Sequence, residues 1–99
     1  MRVCWTERAA KDALRIYDFI AEQSEAYAQS VYARILVRPE QLEEFPESGS
    51  VVSEYSRPDV RELIVHSFRI IYRICDSEVR VLTIIHGSRQ LPPGVWELE

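Results

Sequence analysis

Residues 61–89, RELIVHSFRIIYRICDSEVRVLTIIHGSR, predict three consecutive antiparallel strands and so decide the fold. Apolar residues alternate over Val60–Val65 and again over Glu78–His86, as they do in strands with one buried face. Ile70, Ile71, Tyr72 and Ile74 make residues 68–75 nearly apolar on both faces, which is typical of a central strand. Asp76-Ser77 has the length of a two-residue hairpin turn between the last two strands.

Basic side chains recur along this segment: Arg61, His66, Arg69, Arg73, Arg80, His86 and Arg89. Apart from the two histidines and Lys11, every basic residue of the chain is arginine, which binds carboxylates and phosphates through paired hydrogen bonds. We therefore expect these groups to gather on one face of the sheet and to meet a partner there. The alternative for Arg69 and Arg73 is an ordinary ion pair. Glu62 and Glu78 are the candidate acids for such pairs.

The length of 99 residues corresponds to one domain, which we place at 1–97. We interpret Leu98-Glu99 as a cloning remnant. No stretch approaches the ~18 apolar residues of a membrane span, and the first residues lack the apolar core of a signal peptide. The expected location is the cytoplasm. There we expect Cys4 and Cys75 to be reduced core residues, and we expect neither a metal nor a cofactor.

The net charge of −4 argues against a nucleic-acid-binding protein, because phosphate neutralisation supplies most of the affinity of such domains. The charge is unevenly placed. Between residues 56 and 96, six arginines stand against four acids, so this part carries +2 while the acids concentrate in the first half. The second half therefore offers a local basic surface on an acidic chain.

Apolar residues at helical spacing predict two helices before the sheet. Thr6 is the expected N-cap of the first, over about 7–23, and Ser24 that of the second; a glutamate follows each. Pro39 cannot donate a backbone hydrogen bond, so we expect the second helix to kink or break near Val37-Arg38.

The order strand, helix, helix and three strands predicts an α+β domain. Its first strand is expected over Arg2–Trp5, and Val51 and Val52 could pair briefly. The helical hairpin is expected to pack on one face of a small, mainly antiparallel four-stranded sheet. The opposite face is expected to remain open for a partner.

Four sets of residues carry a family resemblance: Trp5-Thr6-x-x-Ala9 with Asp12 and Ile16-x-x-Phe19-Ile20; Leu42-x-x-x-Pro46-x-x-Gly49; Arg61-x-Leu63 with Phe68-Arg69-Ile70-Ile71-Tyr72-Arg73-Ile74; and Val81-Leu82-x-Ile84-Ile85-His86-Gly87-x-Arg89. In this combination the chain resembles the ParE/RelE superfamily of bacterial toxins from type II toxin–antitoxin modules. The resemblance extends over about residues 2–89 and implies the α+β fold of that superfamily.

The resemblance implies one of two toxin activities. RelE-like members are endoribonucleases that cut messenger RNA on the ribosome, whereas ParE-like members are not nucleases and poison DNA gyrase. Both kinds are neutralised by a cognate antitoxin, whose disordered tail folds on the toxin, and the family is associated with plasmid stabilization. A third hypothesis is a module that binds an antitoxin but is no longer toxic.

The RelE-like hypothesis assigns catalytic roles to three residues. Metal-free RNA cleavage needs a base, a cation for the phosphate and an acid for the leaving oxygen. Arg69 matches the phosphate-binding arginine of RelE-like enzymes, His86 could serve as the acid, and Arg89 matches a second basic position. A base is harder to find, since Glu62 and His66 are candidates without a motif.

The charge balance favours the ParE-like hypothesis, because a gyrase-directed protein needs only a local basic patch. The expected partners are then a ParD-like antitoxin, in a hetero-oligomer, and DNA gyrase. We expect the antitoxin to lay a helix on the sheet or beside the hairpin, or to add a strand at an edge. The expected partner-binding residues are Arg61, Arg69, Arg73, Arg89 and Trp96.

Overall fold

The computed structural model describes residues 1–97, without the side chain of Trp96. The elements follow the chain in this order: β1 (Arg2–Trp5), α1 (Glu7–Ala21), α2 (Glu25–Val37), a 3₁₀ helix (Arg38–Glu43), β2 (Ser50–Val51), β3 (Val60–Val65), β4 (Phe68–Ile74), β5 (Glu78–His86) and a second 3₁₀ helix (Val95–Glu97). The predicted α+β fold, with a helical hairpin on a mainly antiparallel sheet, is confirmed. Leu98 and Glu99, interpreted above as a cloning remnant, lie outside the described residues.

The sheet has five strands in the order β1-β5-β4-β3-β2, so the prediction of four strands was one short. The additional strand, β2, has only two residues and pairs with Arg61 and Glu62 of β3. β1 runs parallel to β5, and every other pair is antiparallel. This order makes β4 a central strand, as its apolar sequence predicted.

Both predicted N-caps are present. The Thr6 hydroxyl accepts a hydrogen bond from the Ala9 N–H at 3.0 Å, and the Ser24 hydroxyl accepts one from the Tyr27 N–H at 3.1 Å. Each cap satisfies a backbone donor that has no acceptor within its helix. A single residue separates β1 from α1, and three residues separate α1 from α2.

Pro39 changes the type of the second helix. α2 ends at Val37, and the chain continues directly as the 3₁₀ helix Arg38–Glu43, with the Pro39 ring buried. A proline near the start of a helix is tolerated because its missing N–H would have no acceptor there. The expected break near Val37-Arg38 is therefore confirmed in a mild form.

The helical face of the sheet carries the larger core. The buried residues of this core include Ala9, Ala13, Val31, Ile35, Leu42, Leu63, Ile70, Tyr72, Val79 and Val81. The Tyr72 hydroxyl donates to the Pro46 carbonyl at 2.8 Å and accepts from the Gly49 N–H at 3.0 Å. A Cβ atom on Gly49 would lie 2.5 Å from the Glu62 carbonyl oxygen, which explains the glycine in the Pro46-x-x-Gly49 motif.

The opposite face is not open, which corrects the expectation. Residues 52–55 and the C-terminal segment fold across it, and Val52, Leu91 and Val95 pack there against Ile71 and Leu82. Burial of these side chains removes apolar surface from water, which is favourable. A partner therefore has less of this face available than the strand pattern suggested.

Cys4 and Cys75 are free cysteines, as expected. Both are only half-buried, so the prediction that they belong to the core was wrong. Cys4 Sγ lies 3.5 Å from a Glu78 carboxylate oxygen at the margin of the sheet. Within residues 1–97, no helix has the length and apolar composition needed to cross a membrane.

Candidate functional site

A groove of about 360 Å³ lies between α1 and the part of β5 that extends beyond β1. β1 pairs with β5 only as far as Val81, so the outer edge of β5 from there to His86 has no strand beside it. A larger depression of about 490 Å³ lies around Lys11, but only α1 lines it. The groove is the stronger candidate because two elements and the C-terminal segment converge on it.

Side chains of α1 replace a strand along part of this edge. The Thr6 N–H donates to the Val81 carbonyl at 3.0 Å, and the Thr6 hydroxyl donates to the Leu82 carbonyl at 3.0 Å. The Asp12 carboxylate accepts from the Ile84 N–H at 3.2 Å and from the Thr83 hydroxyl at 2.5 Å. These contacts give the motif residues Thr6 and Asp12 a structural role.

Two backbone groups of β5 remain open at the groove. The N–H and C=O of one residue point to the same side of an antiparallel strand, and the side alternates along the chain. Because the Ile84 N–H points to Asp12, the Ile84 carbonyl and the His86 N–H also point away from β4. No hydrogen bond from another described turn, loop or side chain reaches either group. The edge therefore presents one acceptor and one donor.

The groove is basic. It is lined by Arg8, Arg15 and Arg89 against the single carboxylate of Asp12, so three positive charges and one negative charge give +2. Arg15 Nη1 lies 3.1 Å from Asp12 Oδ1. The side chains of Arg8 and Arg89 are exposed, and neither forms an ion pair with any described residue. The groove thus combines strand-edge groups with uncompensated guanidinium groups.

Two of the predicted catalytic residues, His86 and Arg89, line this groove together. The His86 Nδ1 accepts from the Ser88 N–H at 3.2 Å, so in the neutral ring the proton lies on Nε2. The ring also packs edge-on against Phe68, with centroids 5.7 Å apart. His86 is thus oriented by its neighbours and exposed to solvent.

The third predicted catalytic residue, Arg69, is buried in an internal ion-pair cluster. Its guanidinium donates to both carboxylate oxygens of Glu54 at 2.9 and 2.8 Å, to Glu62 at 2.6 Å and to the Arg89 carbonyl at 3.1 Å. The Arg69 side chain is only 8% exposed. Hydrogen bonding to Arg69 lowers the pKa of Glu54 to about 2, and the same contact raises the pKa of Arg69. A catalytic or partner contact by Arg69 stays a prediction, and it would require these bonds to open.

Arg73 is also bound to a carboxylate. Its Nε lies 3.1 Å from an Asp59 carboxylate oxygen, and Arg57 binds the same carboxylate through two hydrogen bonds. The bonds from Arg57 are the largest cause of the lowered pKa of Asp59. Across the β4–β5 pair, Arg73 lies opposite Arg80, which is bound to Glu78.

Arg61 lies on the other side of the sheet from Arg69 and Arg73. It shares the helical face with Leu63, and its guanidinium donates to three backbone carbonyls: Pro58 at 2.9 Å, Gly49 at 3.0 Å and Glu47 at 3.3 Å. These contacts hold the segment before β3 in place.

The expected single cationic face is therefore wrong for the described side chains. Alternation along the strands sends Arg61 and Arg69 to opposite faces, and carboxylates within the protein neutralise Arg69, Arg73 and Arg80. Partner binding by Arg61, Arg69, Arg73 and Arg89 remains a prediction. The side chain of Trp96, the fifth residue of that prediction, lies outside what the structure describes.

The groove contains residues that the sequence reasoning did not select as site residues. Arg8, Asp12 and Arg15 are spaced four and three residues apart, which places them on one face of α1. This spacing was visible in the sequence. These residues form a groove only because β5 extends beyond β1, and the predicted strand lengths alone did not establish that arrangement.

Comparisons with known proteins agree on the family. The family described as the ParE toxin of the type II toxin–antitoxin system parDE matches residues 3–91. Toxin RelE2 of Caulobacter vibrioides is 33% identical over 89 residues, covering 89% of this chain and 97% of the relative.

A solved structure from the chromosomal ParDE toxin–antitoxin system of P. aeruginosa has a TM-score of 0.72 at 25% identity. The match covers 87% of this chain and 95% of that one. The chain therefore belongs to the ParE toxin family, as the toxin component of a type II toxin–antitoxin system with an antitoxin partner.

Proposed function

We propose that this toxin acts in the cytoplasm by binding DNA gyrase, and that a ParD-like antitoxin neutralises it in a hetero-oligomer. The observation that carries the proposal is the internal binding of Arg69 by Glu54 and Glu62. This arginine is the one that a nuclease of the superfamily would turn toward the phosphate of its substrate.

The arrangement opposes phosphate binding at Arg69. An incoming phosphate would have to displace carboxylates that already hold the guanidinium through two hydrogen bonds from Glu54 and one from Glu62. Breaking a buried ion pair by removing one partner typically costs about 3–5 kcal/mol. The two negative charges would also repel the phosphate. A toxin that acts by protein contact does not need this arginine to be free.

The charge of the chain supports the same proposal. A protein at −4 is poorly suited to compete with salt for the dense phosphates of a ribosomal site. The groove beside β5, in contrast, is a local basic surface of the kind that orients protein partners.

The test is a supercoiling assay with purified gyrase, relaxed plasmid and the purified toxin. We expect loss of supercoiling and accumulation of cleaved plasmid, both reversed by the purified antitoxin. Unaffected gyrase at toxin concentrations that arrest growth would overturn the proposal.

A RelE-like endoribonuclease is the second candidate, because His86 and Arg89 line one groove and the Caulobacter relative carries the name RelE2. The test incubates messenger RNA with the toxin, with and without ribosomes. Cleavage that requires ribosomes would establish this candidate. Inactivity in both assays, with antitoxin binding intact, would leave a module that binds its antitoxin without toxicity.

A further inference from the structure

We propose that the groove between α1 and β5 receives an extended acidic segment of the antitoxin, which adds to β5 as a parallel strand beyond β1. The inference rests on the antitoxin partnership in the proposed function, but not on gyrase as the target. Four features of the groove support it: its open backbone groups, their spacing, its charge and its position after β1.

The open backbone groups call for a peptide. The Ile84 carbonyl and the His86 N–H lie on the groove side of β5 and have no partner among the described turns, loops and side chains. An extended peptide supplies a complementary N–H and C=O from one residue, which is how strands are added to sheet edges. The sugar–phosphate backbone of a nucleic acid carries no N–H donor, so a donor and acceptor repeated along a strand edge favour a peptide.

The spacing of these groups selects the parallel orientation. In a parallel pair, a residue donates its N–H to the carbonyl of the residue that precedes the one opposite it. Its own carbonyl accepts from the N–H of the residue that follows the one opposite it. A partner residue opposite Ile85 would thus use the Ile84 carbonyl and the His86 N–H. An antiparallel strand would exchange both bonds with Ile84 or with His86. Neither residue is available for such an exchange, because the Ile84 N–H already donates to Asp12 and the His86 carbonyl already accepts from the Arg89 N–H at 3.0 Å.

The charge selects an acidic segment. The groove carries three arginines and one aspartate, and Arg8 and Arg89 form no ion pair with a described residue. Carboxylates on the added strand would bind these guanidinium groups. Asp12 already occupies Arg15, so Arg8 and Arg89 are the residues expected to select the partner's charge.

The position after β1 makes the geometry compatible with the existing sheet. β1 is parallel to β5 and its pairing ends at Trp5, one residue before the N-cap Thr6 and the start of α1 at Glu7. The added strand would lie along the same edge of β5 as β1 and would run in the same direction.

The test measures the affinity of the full toxin chain for its full-length cognate antitoxin, with charge reversals at two positions of α1. Arg8→Glu lies in the groove, whereas Lys11→Glu makes the same charge change on the same helix outside it. We expect Arg8→Glu to weaken binding about tenfold and Lys11→Glu to change it about twofold or less. Equal effects of the two variants would overturn the proposal.

A second pair of variants tests the backbone contact. His86→Pro removes the N–H at the sheet edge, where proline is tolerated, while His86→Ala keeps it. We expect only the proline variant to weaken binding, by about tenfold, and hydrogen exchange to show the His86 amide protected in the wild-type complex. An unprotected amide, or equal binding of the two variants, would contradict strand addition.

The same variants separate the alternatives. If Arg8→Glu abolishes binding of a 12-nucleotide single-stranded RNA but leaves antitoxin binding unchanged, the groove is a nucleic-acid site and the proposal is overturned. If the groove variants weaken antitoxin binding as expected while gyrase is unaffected by the toxin, the inference stands and only the proposed target fails.

Discussion

Glu54 holds the guanidinium of Arg69 with both carboxylate oxygens, at 2.9 and 2.8 Å. The same carboxylate accepts from the Leu91 N–H at 3.0 Å, and Arg69 donates to the Arg89 carbonyl. The pair therefore binds two segments, the loop after β2 and the C-terminal segment, to β4 at the centre of the sheet. Both segments cover the face of the sheet opposite the helices, which the strand pattern predicted to be exposed.

Glu54→Gln is expected to lower the free energy of unfolding by about 3 kcal/mol, because it leaves the buried Arg69 charge without its bidentate partner. Urea unfolding followed by circular dichroism measures this change. Glu22→Gln, at an exposed position after α1, serves as the control and is expected to change stability by about 0.5 kcal/mol or less. A loss of the same size in both variants would contradict the structural role of the cluster.

Stability is expected to fall in acid because the pKa of Glu54 is about 2 in the folded protein against an ordinary value of 4.5. A lowered folded-state pKa stabilises the protein above the unfolded-state pKa, and this contribution is lost as the pH falls from 4.5 toward 2. The lowered pKa values of Asp59 and Glu78 act in the same direction.

The measurement is urea unfolding at several pH values between 7 and 2.5. Glu54→Gln should show a shallower decline below pH 4.5 than the wild type, since residue 54 no longer titrates. Parallel declines for the two proteins would show that Glu54 does not carry this pH dependence.

Tyr72→Phe is expected to destabilise the fold by about 1–3 kcal/mol, because it leaves the Gly49 N–H and the Pro46 carbonyl without their hydrogen-bond partner in a buried position. Thermal unfolding reports the change. Tyr27→Phe, at a half-exposed tyrosine on α2, is the matched control and should be close to neutral. Equal effects would mean that the buried hydroxyl contributes no special stability.

Asp12→Ala is expected to destabilise the protein by about 1–3 kcal/mol, because the Ile84 N–H and the Thr83 hydroxyl lose their acceptor. Asp18→Ala, on an exposed position of the same helix, controls for the loss of a negative charge. Hydrogen exchange should also show faster exchange of the Ile84 amide in Asp12→Ala only. Unchanged exchange at Ile84 would contradict the replacement of a strand by α1.

The elements were predictable because local rules determine them. Thr6 and Ser24 are strong N-caps, Pro39 cannot continue a helix, and alternation marks β3 and β5. The family was likewise recognisable from motifs whose residues now have structural reasons, such as Gly49, which has no room for a Cβ atom beneath Tyr72.

The site was less predictable because it depends on contacts between distant segments. The strand pattern put Arg69 on a strand, but it could not show that Glu54, fifteen residues earlier, folds back to bind it. Similarly, Arg8 and Arg15 gain significance only from the edge of β5, which is far away in the sequence. Charge counts along a strand do not reveal which charges are neutralised in the folded protein.

The most direct test of protein contact as the toxic mechanism is the growth arrest caused by induced His86→Ala, compared with that caused by the wild type. The variant removes the side chain proposed as the acid for RNA cleavage but keeps the backbone of β5. We predict that growth arrest and gyrase inhibition stay within about twofold of wild type, because the proposed contact with gyrase requires no proton transfer. Loss of toxicity by about a hundredfold, together with loss of ribosome-dependent RNA cleavage, would contradict the account.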